Sequence, residues 1–362
     1  MEGNPVAPSV QALILVGGKG TRLRPLTLSA PKPMLPTAGL PFLTHLLSRI
    51  REAGITDVVL GTSFKAEVFA EHYGDGSSLG INLTYVTETE PLGTGGGIRN
   101  VYDHLTADTI LVFNGDVLGG TDIRDVVATH HESGAEVTLH LVRVNDPRAF
   151  GCVPTDSAGR VSAFLEKTQD PPTNQINAGT YVFNRDVIGE IPAGRSVSVE
   201  REVFPSILAA GRHIHAHVDA AYWRDMGTPE DFVRGSADLV RGIAPSPALS
   251  KSCGEALVLD GAEVSTSAVL IGGTVVGRGA RVGSGARLDG AVVFDDARVE
   301  AGAVVERSIV GFGASVGAGA LVRDTVIGDR ASIGARCELL RGARVWPEVV
   351  IPDSGIRFST DV

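Results

Sequence analysis

Residues 276–345 carry one large apolar side chain at every fifth or sixth position, and this spacing limits the possible folds more than any other feature. The repeat runs through Val276, Val282, Leu288, Phe294, Val299, Val305, Val310, Val316, Val322, Ile327, Ile333, Leu339 and Val345. Such a step fits neither the 3.6-residue period of a helix nor the alternation of a strand. It is typical of a solenoid with three-sided coils, in which each hexad points one aliphatic side chain inward. We interpret the five-residue steps as local irregularities.

The first 240 residues follow a different pattern, in which buried strands alternate with amphipathic helices. Continuous apolar runs predict strands at 12–16, 58–60 and 110–113, and apolar residues at helical spacing predict helices at 41–53 and 123–131. This alternation predicts an α/β fold with a mainly parallel sheet that is covered on both faces. Ligands of such sheets bind beyond the carboxyl ends of the strands.

The two patterns predict two domains, each long enough to bury a core. We assign residues 1–241 to the α/β domain and residues 255–362 to the solenoid. Residues 242–254 contain two prolines and three serines, which is typical of a linker. Near the end of the first domain, Thr228 followed by Pro229 predicts the start of a helix.

The composition is that of a globular protein with an acidic balance. Apolar residues make up 43% of the chain and charged residues 20%, and the net charge is −10. The acidic balance argues against general binding to nucleic acids or membrane surfaces. We expect no signal peptide, and no apolar run reaches the about 20 residues that span a bilayer. Cys152, Cys253 and Cys337 are far apart and suit neither disulfides nor a zinc site, so we expect a reducing, cytoplasmic compartment.

Residues 15–36 combine a glycine-rich turn with two cations. The glycines at 17–20 let backbone N–H groups approach a phosphate without a Cβ atom in the way. Arg22 follows the turn directly, and Lys32 lies between two prolines that stiffen the backbone around it. Arginine offers a planar pair of donors to phosphate oxygens, and lysine offers a compact charge. The turn matches neither the P-loop nor the dinucleotide-binding pattern.

The motif GGxGTRLxPLTxxxPKPM in this segment resembles the signature of the sugar-1-phosphate nucleotidyltransferase family. Further matching strings are EPLGTGGG at 90–97, FNGDVL at 113–118, FLEK at 164–167, INAGTYVF at 176–183, VEREVFP at 199–205 and YWRDMGTPEDF at 222–232. The resemblance covers most of residues 11–240. The hexad repeat resembles left-handed parallel β-helices. Together they imply a Rossmann-like, mainly parallel sheet domain followed by a left-handed β-helix.

The resemblance implies a role for each matching polar residue. Asp116 and Asp225 would hold Mg²⁺, and Arg22, Lys32 and Lys167 would neutralise phosphate charge during catalysis. The nucleotide site is implied at Leu15, Gly17, Gly18, Gly20, Thr21, Arg22, Lys32 and Asp116. The sugar site is implied at Gly151, Glu166, Lys167, Asn177, Gly179, Glu200 and Asp225. Without the resemblance, Asp116 reads as a turn residue, Glu166 as the end of an alternating strand at 161–165, and Glu200 as an acid at a helix start.

The choice of base depends on the segment that follows residue 87. A guanine edge offers two N–H donors that one carboxylate accepts together, and Glu88 and Glu90 are candidates for that carboxylate. Gly93 and the glycines at 95–97 would let the base lie against the backbone. The alternative is an exposed acidic loop.

The resemblance implies GTP and mannose 1-phosphate as substrates, with GDP-mannose and pyrophosphate as products. A sugar-phosphate oxygen would attack the α-phosphorus in line, so catalysis would consist of positioning and charge neutralisation. The solenoid would serve as a platform for a homo-oligomer. An acyltransferase activity of the solenoid is disfavoured because no histidine follows His217. Glucose 1-phosphate with UTP or dTTP, and a non-catalytic regulatory subunit, remain the alternatives.

Overall fold

The computed structural model describes residues 9–63, 65–249 and 254–357. Contacts divide the chain into two compact units. The sheet unit comprises the described parts of Met1–Gly18 and Leu46–Trp223, and the solenoid unit comprises those of Lys19–His45 and Arg224–Val362. Cys253 and part of the expected linker lie outside the described residues. The domain boundaries at residues 241 and 254 therefore stay predictions.

The sheet unit is built on a mixed, mostly parallel sheet that has nine strands among the described residues. Its main strands, in spatial order, are Asn82–Thr87, Asp57–Thr62, Val10–Leu15, Thr109–Asn114, Gln175–Asn184, Val137–Arg143 and Ile214–Asp219. Of these, Gln175–Asn184 alone runs antiparallel to its neighbours. The short strands Gly151–Cys152 and Leu165–Glu166 extend the sheet beside it. The four strands at one side of the sheet thus share one carboxyl edge.

Helices cover this sheet and bury its apolar side chains. Their bounds are Phe42–Glu52, Glu67–Tyr73, Gly93–Asn100, Ile123–Ser133, Arg185–Gly189 and Phe204–Ala209, and a π-helical turn spans Val199–Val203. Strand residues such as Leu13, Val112 and Tyr181 share one buried cluster with Ile98 and Phe204 from the helices. The described helices are too short or too polar to cross a membrane. The predicted Rossmann-like domain is confirmed.

The elements predicted from the sequence are present with bounds that differ by at most two residues, with one exception. The alternating segment at 161–165 was expected to be a strand, but only Leu165–Glu166 pairs as one. Val161 forms an isolated bridge to Thr155 instead. Alternation failed here for burial as well, because Phe164 is buried and Leu165 is exposed, and it carried no information about whether a neighbouring strand lies beside the segment.

In the solenoid unit, residues 254–357 form three parallel sheets. One contains Ala256–Val258, Thr274–Val276, Val292–Val293, Ile309–Val310, Val326–Ile327 and Arg344–Val345. The second contains Glu263–Val264, Arg281–Val282, Arg298–Val299, Ser315–Val316, Ser332–Ile333 and Val350–Ile351. The third contains Val269–Ile271, Arg287–Asp289, Val304–Glu306, Leu321–Arg323 and Glu338–Leu339. This is the predicted hexapeptide β-helix.

The repeat of this β-helix is more regular than the sequence suggested. Each coil from Val276 onward contains 17 residues, as the pairing of Val276 with Val293 shows, except that the last two strand pairings, Val326 with Arg344 and Ser332 with Val350, span 18. Val293, rather than the predicted Phe294, joins the aliphatic core of the coils. The five-residue step therefore recurs on one side of each 17-residue coil and is no irregularity. Three consecutive apolar residues at 292–294 left the spacing ambiguous in the sequence.

A second inward position lies two residues before each aliphatic residue and holds a small side chain. Ala280, Ala286, Ala291, Ala297, Ala303, Ala314, Ala320, Ala331 and Cys337 occupy it, all at most 1% exposed. Small side chains are required there because a second large one would overfill the coil. Cys337 is therefore a packing residue.

The solenoid unit also contains residues 19–45, which lead into the helix Phe42–Glu52, and residues 224–240, which include the helix Pro229–Val240. The strands Pro36–Thr37 and Leu40–Pro41 form a two-stranded ribbon, and 3₁₀ turns span Thr21–Leu23, Leu26–Leu28 and Lys32–Met34. The helix Pro229–Val240 begins where it was predicted: Thr228 is the N-cap, and its hydroxyl accepts a hydrogen bond from the Asp231 N–H.

Candidate active site

Several predicted nucleotide-binding residues meet at the carboxyl edge of the sheet unit. Leu15 ends its strand, Glu88 follows directly after the edge strand Asn82–Thr87, and Asp116 lies two residues after Thr109–Asn114, which pairs with the strand of Leu15. The Gly115 N–H donates to the Leu15 carbonyl at 2.9 Å, which fixes the backbone just before the partly buried Asp116. Gly17 and Gly18 continue the strand of Leu15, and the Gly18 N–H donates to the Ser63 hydroxyl at 3.3 Å. The parallel sheet thus gathers side chains that are distant in sequence.

Glu88 is held in one orientation at this edge. Its Oε2 atom accepts a hydrogen bond from the Leu92 N–H at 3.1 Å. Burial raises the pKa of the Glu88 carboxyl, and the Leu92 N–H opposes that shift. Glu90, the other candidate for a base contact, is exposed. The structure therefore provides a fixed carboxylate at position 88 and a solvated one at position 90.

The glycine-rich helix start at Gly93 packs against another segment of the sheet unit. A Cβ atom at Gly93 would lie 2.7 Å from the Val197 carbonyl oxygen, and one at Gly96 would lie 2.7 Å from the Arg195 carbonyl oxygen. The Gly95 N–H donates to the Val197 carbonyl at 2.8 Å. These glycines are therefore required for close backbone packing, a role that the sequence interpretation did not include.

Glu200 ties the same two segments together. Its Oε2 atom accepts hydrogen bonds from the Thr94 hydroxyl at 2.8 Å and from the Ser198 hydroxyl at 2.6 Å. The Val199 N–H in turn donates to the Thr94 hydroxyl oxygen. This network gives Glu200 a clear structural function at the π-helical turn.

Two predicted sugar-binding residues are direct neighbours across a strand pair. Gly151 lies opposite Glu166, and a Cβ atom at Gly151 would lie 2.8 Å from the Phe164 ring. Lys167 follows with a φ of 51°, a left-handed conformation that costs a non-glycine residue about 1–2 kcal/mol. Its Nζ atom lies 3.6 Å from Glu166 Oε1, and its side chain is exposed. A strained, exposed lysine beside a carboxylate is typical of a functional position.

Asn177 uses its side-chain amide within the fold. The amide nitrogen donates to the Tyr181 hydroxyl at 2.7 Å, and the amide oxygen accepts from the Gly179 N–H at 3.0 Å. Gly179 has a φ of 77°, and a Cβ atom there would lie 2.9 Å from the Asn114 amide nitrogen. Asn177 and Gly179 therefore shape an irregularity in the long antiparallel strand.

In the solenoid unit, a second group surrounds Asp225. Arg22 Nη2 lies 3.8 Å from one Asp225 oxygen, and Lys32 Nζ lies 3.8 Å from the other. The Lys32 side chain is only 9% exposed, whereas that of Arg22 is 65% exposed. Gly20 adopts a left-handed conformation at the start of the turn, and its carbonyl accepts a hydrogen bond from the Thr27 hydroxyl at 2.9 Å. The predicted cations are thus gathered beside a predicted metal ligand.

Gly227 gives the Arg22 guanidinium its place. A Cβ atom at residue 227 would lie 2.6 Å from Arg22 Nη2 and 2.8 Å from Arg22 Cζ. The neighbouring Arg224 is held by Asp231 and Asp238, each at 3.2 Å. Sequence reasoning noted the string around Asp225 but did not find this role of Gly227, because the contact joins residues about 200 positions apart.

Arg344 is a further residue that the sequence analysis missed. Its Nη1 atom donates to the carbonyl oxygens of Arg22 and Arg24, both in the solenoid unit. It is one of many arginines at exposed positions of the hexad repeat, so no signal in the sequence distinguishes it.

The cysteine and metal predictions can be assessed for the described part of the chain. Cys152 and Cys337 are buried free thiols, and the Cys152 thiol donates to the Thr173 carbonyl at 3.3 Å. Among residues 9–63, 65–249 and 254–357, no group of three or more His, Cys, Asp or Glu residues is arranged to hold a metal. Cys152 is therefore a packing residue.

The comparisons with known proteins agree with this geometry. Residues 11–242 match the family described as Nucleotidyl transferase, and residues 252–359 match the GMPPB C-terminal domain. The chain belongs to the nucleotidyl transferase family, and the resemblance seen in its sequence motifs is confirmed. Its relatives include the mannose-1-phosphate guanylyltransferase of Mycobacterium tuberculosis (strain ATCC 25618 / H37Rv), which is 71% identical over 354 residues, 98% of this chain and 99% of the relative.

More distant relatives and solved structures point the same way. The probable mannose-1-phosphate guanylyltransferase 1 of Oryza sativa subsp. japonica is 37% identical over 74% of this chain and 75% of its own length. The crystal structure of HddC from Yersinia pseudotuberculosis complexed with GMP-PN superposes with a TM-score of 0.56 at 29% identity. It covers 63% of this chain and 99% of its own chain.

Proposed function

We propose that this chain transfers the guanylyl group of GTP to mannose 1-phosphate and releases GDP-mannose and pyrophosphate. Support comes from the 71% identity, over 98% of this chain, to a mannose-1-phosphate guanylyltransferase. The sequence contains all the residues that the resemblance assigns to phosphate and metal contacts, namely Arg22, Lys32, Asp116, Lys167 and Asp225. A non-catalytic relative would have no need of this complete set.

The observation that carries the proposal is the group around Asp225. A lysine that is nearly buried costs desolvation energy, and the carboxylate 3.8 Å away offsets that cost. The side chain of Arg22, on the other side of the same carboxylate, is mostly exposed. The protein thus holds two cations ready before any polyanion arrives, which is the arrangement that phosphate transfer requires.

The chemical step needs positioning more than acid–base catalysis. A phosphate oxygen of the sugar phosphate attacks the α-phosphorus of GTP, a new P–O bond forms, and the bond from the α-phosphorus to the oxygen that bridges it to the β-phosphorus breaks. Pyrophosphate takes the electron pair. The attacking oxygen is already ionised, so no residue has to remove its proton. Arg22, Lys32 and Lys167 lower the repulsion between the two anions and hold them in line.

Magnesium is a proposed cofactor that the available ligands fit. Asp116 and Asp225 each offer carboxylate oxygens, and Mg²⁺ is commonly held by one or two carboxylates together with substrate phosphates and waters. When bound, the ion would neutralise charge on the phosphates. The Asp225 side chain is 28% exposed.

Substrate selection is proposed to involve the sheet unit. Glu166 and Lys167 are assigned to the sugar phosphate, and the strained backbone of Lys167 supports that role. Glu88 is assigned to the guanine edge because its carboxylate is fixed by the Leu92 N–H. Asn177 keeps a smaller part, since its amide already bonds to Tyr181 and Gly179.

Self-association and location are also proposals. The last coil of the solenoid exposes Trp346, Val349, Val350 and Ile356, and Val350 is 73% exposed. An apolar surface of this kind beside an edge strand supports a homo-oligomer formed through the β-helix. The buried thiols of Cys152 and Cys337 support a reducing compartment such as the cytoplasm.

The test is an assay of pyrophosphate release with the full chain. GTP, ATP, UTP and dTTP are each paired with mannose 1-phosphate and glucose 1-phosphate, in the presence of Mg²⁺, and products are identified by mass. We expect GTP with mannose 1-phosphate to give the highest kcat/KM and GDP-mannose as product. Strict use of UTP or dTTP with glucose 1-phosphate would overturn the proposal.

Variants connect that activity to the assigned residues. Asp116→Ala is expected to lower kcat by about 10²–10³-fold, by analogy with other groups that stabilise developing charge. Asp103→Ala, at an exposed position of another turn, is the matched control and should leave the rate unchanged. Equal rates for both variants would contradict the assignment of Asp116.

A further inference from the structure

The solenoid contacts the backbone of the segment that carries the catalytic cations. Arg344 lies in the strand Arg344–Val345 of the last coil, and its Nη1 atom donates to the carbonyl oxygen of Arg22 at 2.7 Å and to that of Arg24 at 2.6 Å. All three residues belong to the solenoid unit. One guanidinium nitrogen therefore joins two backbone positions on either side of Leu23.

These carbonyls are at the end of a short helical turn. Thr21–Leu23 is a 3₁₀ turn whose last internal hydrogen bond runs from the Arg24 N–H to the Thr21 carbonyl. Carbonyls beyond the last turn of a helix have no partner within the helix and need an outside donor. A guanidinium is well suited to bind these carbonyls, because a charged donor forms a shorter and stronger hydrogen bond than a neutral one.

A second contact joins the same segment to the other end of the same sheet. A Cβ atom at Gly39 would lie 2.9 Å from both methyl carbons of Leu259, which directly follows Ala256–Val258. That strand is the first and Arg344–Val345 the last of one six-stranded sheet. Neighbouring strands are about 4.8 Å apart, so the two contacts are separated by roughly 24 Å across the sheet. The segment 22–39, which includes Lys32, is thus anchored at both ends.

We propose that Arg344 is a positioning residue for nucleotidyl transfer: by holding the carbonyls of Arg22 and Arg24, the last coil of the solenoid sets the direction in which the Arg22 side chain leaves the backbone. The inference rests on the proposed function. It makes the β-helix part of the catalytic machinery as well as a platform. Gly227 fixes the far end of the Arg22 side chain and Arg344 fixes its near end.

The experiment measures steady-state kinetics of the full chain with GTP and mannose 1-phosphate. Arg344→Met keeps the apolar stem and removes the guanidinium that donates both hydrogen bonds. We expect kcat to fall by about 10-fold or more while KM for GTP changes by less than about threefold, because a misdirected cation weakens transition-state contacts most. Arg344→Lys keeps a charged donor and should recover part of the rate. The thermal unfolding midpoint of both variants should match that of the parent.

The control is Arg298→Met. Arg298 occupies the same place in its own two-residue strand, exposed and followed by a buried valine, on a different sheet of the solenoid. We expect its kinetics to match those of the parent. If Arg344→Met retains the parent's kcat, or if Arg298→Met loses as much, the proposal is wrong.

A double-mutant cycle distinguishes positioning from a general structural effect. If Arg344 acts through Arg22, then Arg344→Met added to Arg22→Ala should cause almost no further loss of kcat. Independent, additive losses would overturn the proposal. If the parent prefers another nucleotide or sugar phosphate, the proposed substrates are wrong, and the same cycle with the preferred pair still tests Arg344.

Discussion

At the residue scale, the chemistry depends on how a few charged side chains are held. Lys32 is nearly buried beside Asp225, and its position after Pro31, at the start of a 3₁₀ turn, limits where its side chain can point. Arg22 is long and exposed, so packing has to restrict it. Its guanidinium lies over Gly227. A glycine leaves room for it there, because a Cβ atom at this position would lie 2.6 Å from Arg22 Nη2. One cation is thus placed by burial and the other by a neighbouring glycine.

We therefore expect Gly227→Ala to displace Arg22 rather than to unfold the protein. The new methyl group would lie 2.6 Å from Arg22 Nη2, and the end of a flexible side chain moves away at little cost. Because a shift of about 1 Å in a positioned group lowers a rate by up to about 100-fold, kcat/KM should fall by about 10–100-fold. Steady-state kinetics and urea unfolding together measure the two effects.

Gly119→Ala is the matched control for this variant. The nearest atom to a Cβ atom there is Arg49 Nη1 at an ordinary 3.5 Å. Activity and the urea midpoint should both stay close to those of the parent. A Gly227→Ala variant that behaved like Gly119→Ala would contradict the packing role of Gly227.

At the scale of elements, each side of the solenoid coil combines one large and one small inward residue. The aliphatic column supplies the apolar area, and the alanine column sets how closely the walls approach. Polar residues replace alanine at Thr274, Ser308 and Thr325, which lie at the starts of strands of one sheet. Two of them bond along the stack, since the Thr325 N–H donates to the Ser308 hydroxyl at 3.0 Å. Small size, and not apolarity alone, is the requirement at this position.

Ala303→Leu tests that requirement. Ala303 is fully buried, so the extra methyl groups would overfill the coil and should lower the free energy of unfolding by about 1–3 kcal/mol. Ala301→Leu, two residues earlier on the exposed side, is the control and should change stability little. Urea unfolding followed by circular dichroism measures both. Equal midpoints for the two variants would be inconsistent with a size limit at the second inward position.

At the scale of the whole molecule, several buried or partly buried histidines have lowered pKa values. Burial lowers the pKa values of His45, His130, His213, His215 and His217 below the ordinary 6.5. In each case the unfolded chain takes up a proton at a higher pH than the folded protein does. The contribution of these histidines to the free energy of unfolding is therefore complete above about pH 7, and it is lost progressively as the pH falls below 6.5.

We expect the urea midpoint to be lower at pH 5.5 than at pH 7.5. His45→Gln should reduce this pH dependence, because the His45 ring is fully buried between the Thr37 carbonyl and the Ser246 hydroxyl. His72→Gln, at an exposed position, should leave the dependence as in the parent. A midpoint that rises on acidification would contradict the lowered pKa values of these histidines.

The sequence by itself determined the two architectures and most of the candidate site. Hydrophobic period distinguished the sheet domain from the solenoid, because side-chain burial repeats with the geometry of each element. The motifs around Arg22, Lys32, Asp116, Lys167 and Asp225 were visible because each is a short, continuous string. Patterns of this kind involve residues that are close together in the sequence, so they can be recognised without the structure.

Only the tertiary structure decided which residues meet. It showed that Val293, and not the predicted Phe294, belongs to the solenoid core. Pairing of Val293 with Val276 and Val310 fixes the register that three consecutive apolar residues left open. It gave Gly93 and Glu200 packing and bonding roles through the segment at 195–200. It also joined Arg344 to Arg22, more than 300 residues away. Contacts between distant segments depend on how the folded elements pack, so the spacing of residues in the sequence does not predict them.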